Sequence, residues 1–236
     1  MASAHSPPCL RRGAAPLHHA RRHRRPSARA SASARKAVAL HGKGGGGALF
    51  RADAGVKGIV DELGGDVEWQ FPDGTTELKQ GARAWWDTPD GTRSFENDVW
   101  VGAEDALDAA AAAAEGADVL LGFSQGAMLI GALLAEKRVP ESVRACVLVG
   151  AAWPRPFASG LSDLVKQRLG PKAATYKSPA LLHVVSPNDT INPPASAHML
   201  QATLGGDILY HESGHSVPVE KSAEVAAWVR DALASE

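Results

Sequence analysis

Short apolar runs alternate with longer helix-like stretches along most of this chain. The runs Ala37–His41, Val67–Phe71, Val119–Phe123, Ala145–Val149, Ala180–Ser186 and Ile208–His211 read as strands. Between them, Leu49–Leu63, Asp98–Glu115, Gln125–Arg138, Ala195–Leu204 and Pro218–Leu233 read as helices. Strands that alternate with helices predict an α/β fold: a single, mostly parallel sheet with helices on both faces. The strand-like runs are nearly all apolar, as expected where both faces of a parallel sheet are covered. Two segments fit neither pattern. Residues 73–97 are polar and hold Gly74, Gly81, Pro89 and Gly91, and residues 151–179 hold Pro154, Pro156 and Pro171. Both are expected to be excursions over the sheet edge, short lids in effect, because long loops in a compact α/β domain are usually functional. Ala109–Ala114 is a run of six alanines and carries only helix propensity.

One run has a chemical signature at its end. Gly122-Phe123-Ser124-Gln125-Gly126 matches G-x-S-x-G, follows an apolar strand and opens an apolar helix. This strand–turn–helix setting is what a nucleophile elbow requires. The serine takes the strained turn, and small residues on either side let the strand and helix backbones approach. Its hydroxyl then stands at a helix N-terminus, where free N–H groups favour developing negative charge. The alternative is a tight turn with an incidental serine.

A serine hydroxyl needs a base, and the base needs an orienting carboxylate. In the hydrolase arrangement they follow in the order Ser, acid, His. Asp189 lies in the turn Ser186-Pro187-Asn188-Asp189 after a strand, although Pro-Asn-Asp is also good turn chemistry in its own right. Asp163 lies within an excursion and Asp207 begins a strand, so both fit less well. Of the later histidines, His198 falls in a helix-like stretch and His211 ends a strand. His215 lies in the loop Gly214-His215-Ser216-Val217-Pro218 and is the better-placed base.

The loop after the first strand, His41-Gly42-Lys43-Gly44-Gly45-Gly46-Gly47, admits two readings. In a hydrolase it supplies a backbone N–H to the oxyanion hole, from Lys43 or Gly44, partnered by that of Gln125. It also spells G-x-G-x-x-G ahead of a helix, with Asp61 and Glu62 near the offset of a ribose-binding acid. That spacing would suit a nicotinamide or flavin oxidoreductase, but it leaves the Ser–Asp–His order unexplained. A third reading is a non-catalytic binding protein on a hydrolase fold.

Together these pieces resemble a known family. Leu40-His41-Gly42, Arg83-Ala84-Trp85-Trp86, Gly122–Ala127, Ser186–Asp189 and Gly214–Pro218 are similar to the FSH-type serine hydrolases of the α/β-hydrolase fold, over residues 37–232. The resemblance implies Ser124 as nucleophile, Asp189 as acid and His215 as base. It also implies hydrolysis of small-molecule carboxylic esters or thioesters through an acyl-enzyme, with no metal or other cofactor. Aromatic residues would stand near the acyl pocket; Trp85, Trp86, Trp153 and Phe157 are the candidates, with core packing as the alternative for each. Where the family follows His-Gly with bulkier, polar residues, this chain has Lys43 and four glycines.

Charge changes the picture at the N-terminus only. The whole chain has a formal net charge of −1, yet residues 1–36 carry eight Arg, Lys36 and no acid, a charge of +9. The other 200 residues carry 16 basic and 26 acidic side chains, a charge of −10, which argues against a nucleic-acid-binding face on the body. The leader is rich in Arg, Ser, Ala and Pro and has no apolar core, the composition of an organellar transit peptide and not of a secretory signal. The alternative is a disordered basic tail that binds RNA or acidic surfaces, but the abrupt change at Lys36 favours a disordered, removable leader over residues 1–35, with plastid favoured over mitochondrion by the Ala30–Ala34 stretch. Residues 36–236 are expected to be the hydrolase domain. No run approaches the roughly 18 apolar residues of a membrane helix. The two cysteines, Cys9 and Cys146, form no disulfide framework.

Overall fold

Six parallel strands form the sheet: β1 (Arg35–Leu40), β2 (Val67–Gln70), β5 (Val119–Phe123), β6 (Ala145–Val149), β7 (Ala180–Val185) and β8 (Asp207–Tyr210). They lie side by side in the order β2-β1-β5-β6-β7-β8. The structure, a computed structural model, describes residues 34–89, 92–170 and 178–235. The leader expected over residues 1–35 lies outside these up to Ser33, and so does Cys9. From Ala34 onward the chain clusters as one unit.

The strands alternate as a two-sided sheet must. Ala37 and Ala39 of β1, with Val119 and Leu121 of β5, pack on one face against α1 (Gly47–Ala52), α2 (Ala54–Leu63) and α7 (Ser222–Ala234). Val38, Leu40, Leu120, Cys146 and Leu148 face the other side, under α3 (Ala103–Ala114), α4 (Gln125–Ala135), α5 (Ala158–Leu169) and α6 (Pro194–Leu204). Every residue of α4 is buried, which explains why its sequence is apolar all round. It is the helix that Ser124 opens.

The strand limits match the apolar runs to within two residues, and the helix limits differ where local chemistry intervenes. The stretch Leu49–Leu63 is two helices, because the Asp53 side chain accepts from Gly55 N and Val56 N and starts α2 afresh. The stretch expected from Asp98 begins as a helix only at Ala103, after the left-handed Gly102. The polar excursion contains a small antiparallel pair, β3 (Thr76–Glu77) with β4 (Arg83–Ala84). The second excursion contains α5, whose buried Leu161 and Leu164 pack on the α4 side of the sheet.

Candidate active site

The site is built at the carboxyl ends of β1, β5, β7 and β8, where the connecting loops converge. Ser124 follows β5 directly and adopts φ 53°, ψ −113°, a region that side-chain-bearing residues rarely occupy. Such a conformation costs on the order of 1–3 kcal/mol and survives only where the surroundings hold it. Here Ser124 N donates to Val149 O of the neighbouring strand at 2.9 Å. The flanking glycines make room: a Cβ on Gly122 would lie 2.6 Å from Ala127 N, and one on Gly126 would lie 2.1 Å from Leu40 O.

Three side chains meet in a relay. His215 Nε2 lies 2.8 Å from Ser124 Oγ, and His215 Nδ1 lies 2.7 Å from Asp189 Oδ2. The carboxylate can only accept, so Nδ1 carries the proton and Nε2 is left to accept from the serine hydroxyl. The Asp189 side chain is 4% exposed and that of His215 15%, so the acid is shut off from water while the base is reachable. Asp189 Oδ1 is held as well, by Ile191 N and Asn192 N, each at 2.8 Å.

Some supporting residues are not singled out by the linear pattern. Ser186 Oγ accepts from Asn188 N at 3.2 Å and from Gly214 N at 3.1 Å, tying the acid's loop to the base's loop. Asn192 Nδ2 donates to Gly150 O at 2.7 Å. The only signal for these is their place in a polar turn around Asp189. The rival residues lie elsewhere. Asp163 is in α5 and pairs with Lys166, while Asp207 opens β8 and accepts from Trp228 Nε1. His198 sits in α6 beside Tyr210, and His211 Nδ1 faces Ser213 Oγ.

The glycine loop is folded against the first excursion. Gly44 N donates to Arg83 O at 2.9 Å, which uses up one of the two oxyanion candidates and leaves Lys43 N. Gln125 N lies in the first turn of α4 and has no partner within the helix. The Gln125 side chain points away from the reacting groups and bolts the excursion down. Its Oε1 accepts from Trp85 N and its Nε2 donates to Trp86 O, both at 2.9 Å. His41 stacks on Trp85, donates from Nδ1 to Gly42 O and accepts at Nε2 from Gly74 N. Burial pushes this imidazole below its ordinary value, consistent with a neutral ring that accepts at Nε2.

The aromatic residues expected at the acyl wall need correcting. Trp85 and Trp86 are fully buried, Trp85 with its Nε1 on His41 O and Trp86 stacked on Trp100 at 3.9 Å. Phe157 is buried against Trp100. These rings belong to the hydrophobic core on the α4 side of the sheet. Trp153 lines a hollow of about 580 Å³ with Phe95 and Met199. A smaller hollow of about 300 Å³ contains Ser124, Lys43, Gln125 and Met128.

The dinucleotide spacing is explained by packing. Gly47 N, at the start of α1, donates to Asp73 Oδ1 at 2.7 Å, so the chain's own carboxylate occupies the place a phosphate would take. Among the described residues, no three His, Cys, Asp or Glu side chains are grouped to hold a metal ion.

A family model described as "Serine hydrolase (FSH1)" matches residues 30–227. No curated protein sequence matches the chain. Several solved structures are similar. SOBER1 of Arabidopsis thaliana is 18% identical with a TM-score of 0.61, over 85% of this chain and 100% of that one. Acyl-protein thioesterase 2 of Zea mays is 18% identical with a TM-score of 0.61, over 85% and 94% of the two chains. A carboxylesterase of Bacillus cereus is 18% identical with a TM-score of 0.56, over 85% and 89%. At such identities the likeness is one of fold.

Proposed function

The chain belongs to the FSH1 serine hydrolase family, and from that premise we propose that it hydrolyses carboxylic esters or thioesters through an acyl-enzyme on Ser124. The observation that carries this reading is the unbroken relay from Ser124 Oγ through His215 to Asp189. His215 Nε2 takes the hydroxyl proton as Ser124 Oγ attacks the acyl carbonyl. The carbonyl oxygen becomes an oxyanion facing the N–H groups of Lys43 and Gln125. His215, now charged and steadied by Asp189, gives its proton to the leaving alcohol or thiol. Water then repeats the sequence on the acyl-enzyme and returns the serine. The thioesterase and carboxylesterase among the structural neighbours support the substrate class by analogy alone.

The test is a set of aryl esters and thioesters of graded acyl length, run beside a fluorophosphonate probe. Labelling and turnover that both vanish in Ser124→Ala are the expected result. A folded chain that is neither labelled nor active on any of them overturns the reading. The same proposal places the protein in an organelle, a plastid before a mitochondrion, on the strength of its acid-free basic leader. N-terminal sequencing of native protein should find a start between about Ala28 and Ala37, and a start at Met1 removes this part.

A further inference from the structure

Among the described residues, the hollow at Ser124 has a lopsided charge. Two basic side chains line it, Lys43 and Arg93. Lys43 is already neutralised, with Nζ 2.6 Å from Asp87 Oδ1, and that contact holds the Asp87 carboxyl below its ordinary value. The other acid at hand, Asp189, has both oxygens engaged by His215, Ile191 and Asn192. Arg93 has no carboxylate partner among the described residues. Its Nη1 donates to the Ile191 carbonyl at 2.5 Å, across from the first excursion to the loop after β7. A guanidinium has five donors in a planar fork, so this tether positions the group at the hollow while leaving donors to spare.

The hollow also has a direction. His215 must protonate the leaving group, so the leaving group lies on the histidine's side of Ser124. The hollow is walled by Met128, Gln125, Ile191 and Asn192, and His215 is not part of its lining. Its space is therefore open to the oxyanion and the acyl part, on the side away from the leaving group.

We propose that Arg93 binds a carboxylate on the acyl part of the substrate, so that the preferred substrates are half-esters or half-thioesters of dicarboxylic acids. This rests on the ester-hydrolase reading above and narrows it. A carboxylate matches the guanidinium fork in two parallel bonds, which a neutral acyl chain cannot do. The α4 N-terminus adds positive potential in the same hollow.

The experiment compares mono-aryl esters of glutaric and adipic acids with the neutral aryl esters of equal carbon count, spontaneous hydrolysis being subtracted. The readout is the ratio of kcat/KM, anionic over neutral, in the full chain. The wild type should favour the anionic member at one length or both. In Arg93→Met that ratio should fall by about tenfold or more, mostly through KM, because the variant loses hydrogen bonds to a charged group. Arg93→Lys should recover part of it. Should the methionine variant fail to fold, the wild type alone still decides: added salt should lower the ratio, since screening weakens only the charged member's binding. A ratio at or below one at both lengths, a ratio insensitive to salt, or a smaller fall in folded Arg93→Met overturns the proposal and leaves the ester-hydrolase reading standing. Turnover of neither class by the folded wild type overturns that reading itself.

Discussion

The two sides of the site are built differently. On one side, Ser124, Asp189 and His215 hang from the ends of β5, β7 and β8, and each needs only a short turn to reach the others. On the other side, the glycine loop after β1 has little of its own to define it. It is held by bonds from distant residues: Arg83 O on Gly44 N, Gly74 N on the His41 ring, and Trp85 Nε1 on His41 O. Gln125 spans the two, with its backbone at the elbow and its side chain on Trp85 and Trp86. Ser124, Asp189 and His215 are thus placed by strand ends, whereas the loop after β1 is placed by backbone and side-chain bonds to residues distant in sequence.

The harshest break is on the relay side. Ser124→Ala or His215→Ala should each cost on the order of 10⁵–10⁶ in kcat on an aryl ester, and the double variant little more, because either removes the same pathway. Asp189→Asn should cost about 10⁴, since the imidazole loses the partner that sets its tautomer. Circular dichroism should show all three folded. A folded Ser124→Ala that keeps a tenth of wild-type turnover would refute the assignment.

On the other side the effect should be structural first. Gln125→Met keeps the backbone N–H at the elbow but strips the partners from Trp85 N and Trp86 O. Leaving two buried backbone groups unpaired should cost about 3–4 kcal/mol in urea denaturation, with a loss of turnover as the loop loosens. Unchanged stability would mean that the excursion is not bolted through Gln125.

An acid titration sharpens the contrast. His41 holds its neutral ring by burial, and His183 in β7 is pushed down to about 4 by burial. Both folded values lie below the ordinary one near 6.5, so the unfolded chain binds more protons in between. Stability is thus complete above about pH 6.5 and is lost as pH falls towards the folded values. For His183 the loss should reach on the order of 3 kcal/mol by pH 4. His183→Gln should remove that share in denaturation curves taken across this range, and His41→Gln should remove a further part, His211 being held down by burial as well. The smallest effect belongs to the Lys43 side chain. Its pair with Asp87 is half in water, so Lys43→Met should change stability by less than about 1 kcal/mol. A larger loss in the same urea assay would show that the loop leans on that pair.

These differences follow what each kind of contact leaves in a linear sequence. The elbow is legible because a strained turn between a strand and a helix admits few residues, and Gly122 and Gly126 are both required there. That Asp189 and His215 meet at Ser124 is legible from their order and from the turns that carry them. Trp85 and Trp86 point in sequence towards the acyl wall, and the structure buries both. A tryptophan in a polar excursion looks the same in sequence whether it lines a pocket or closes a core. The helix Ala158–Leu169 is hidden in the linear pattern because Pro154 and Pro156 ahead of it and Pro171 beyond it suggest a loop throughout.

The sequence by itself determined the sheet, through apolar runs that can only be buried on two faces, and the turn at Ser124, through glycines that no other residue replaces. Tertiary structure alone decided which oxyanion candidate keeps a free N–H, since Gly44 is claimed by Arg83, thirty-nine residues away. It alone brought Arg93 to Ile191 across the hollow. The physical reason is range. Steric limits on φ and ψ and the burial of apolar periodicity act between near neighbours and leave a mark in the chain. A hydrogen bond between residues far apart in sequence leaves none until the fold closes.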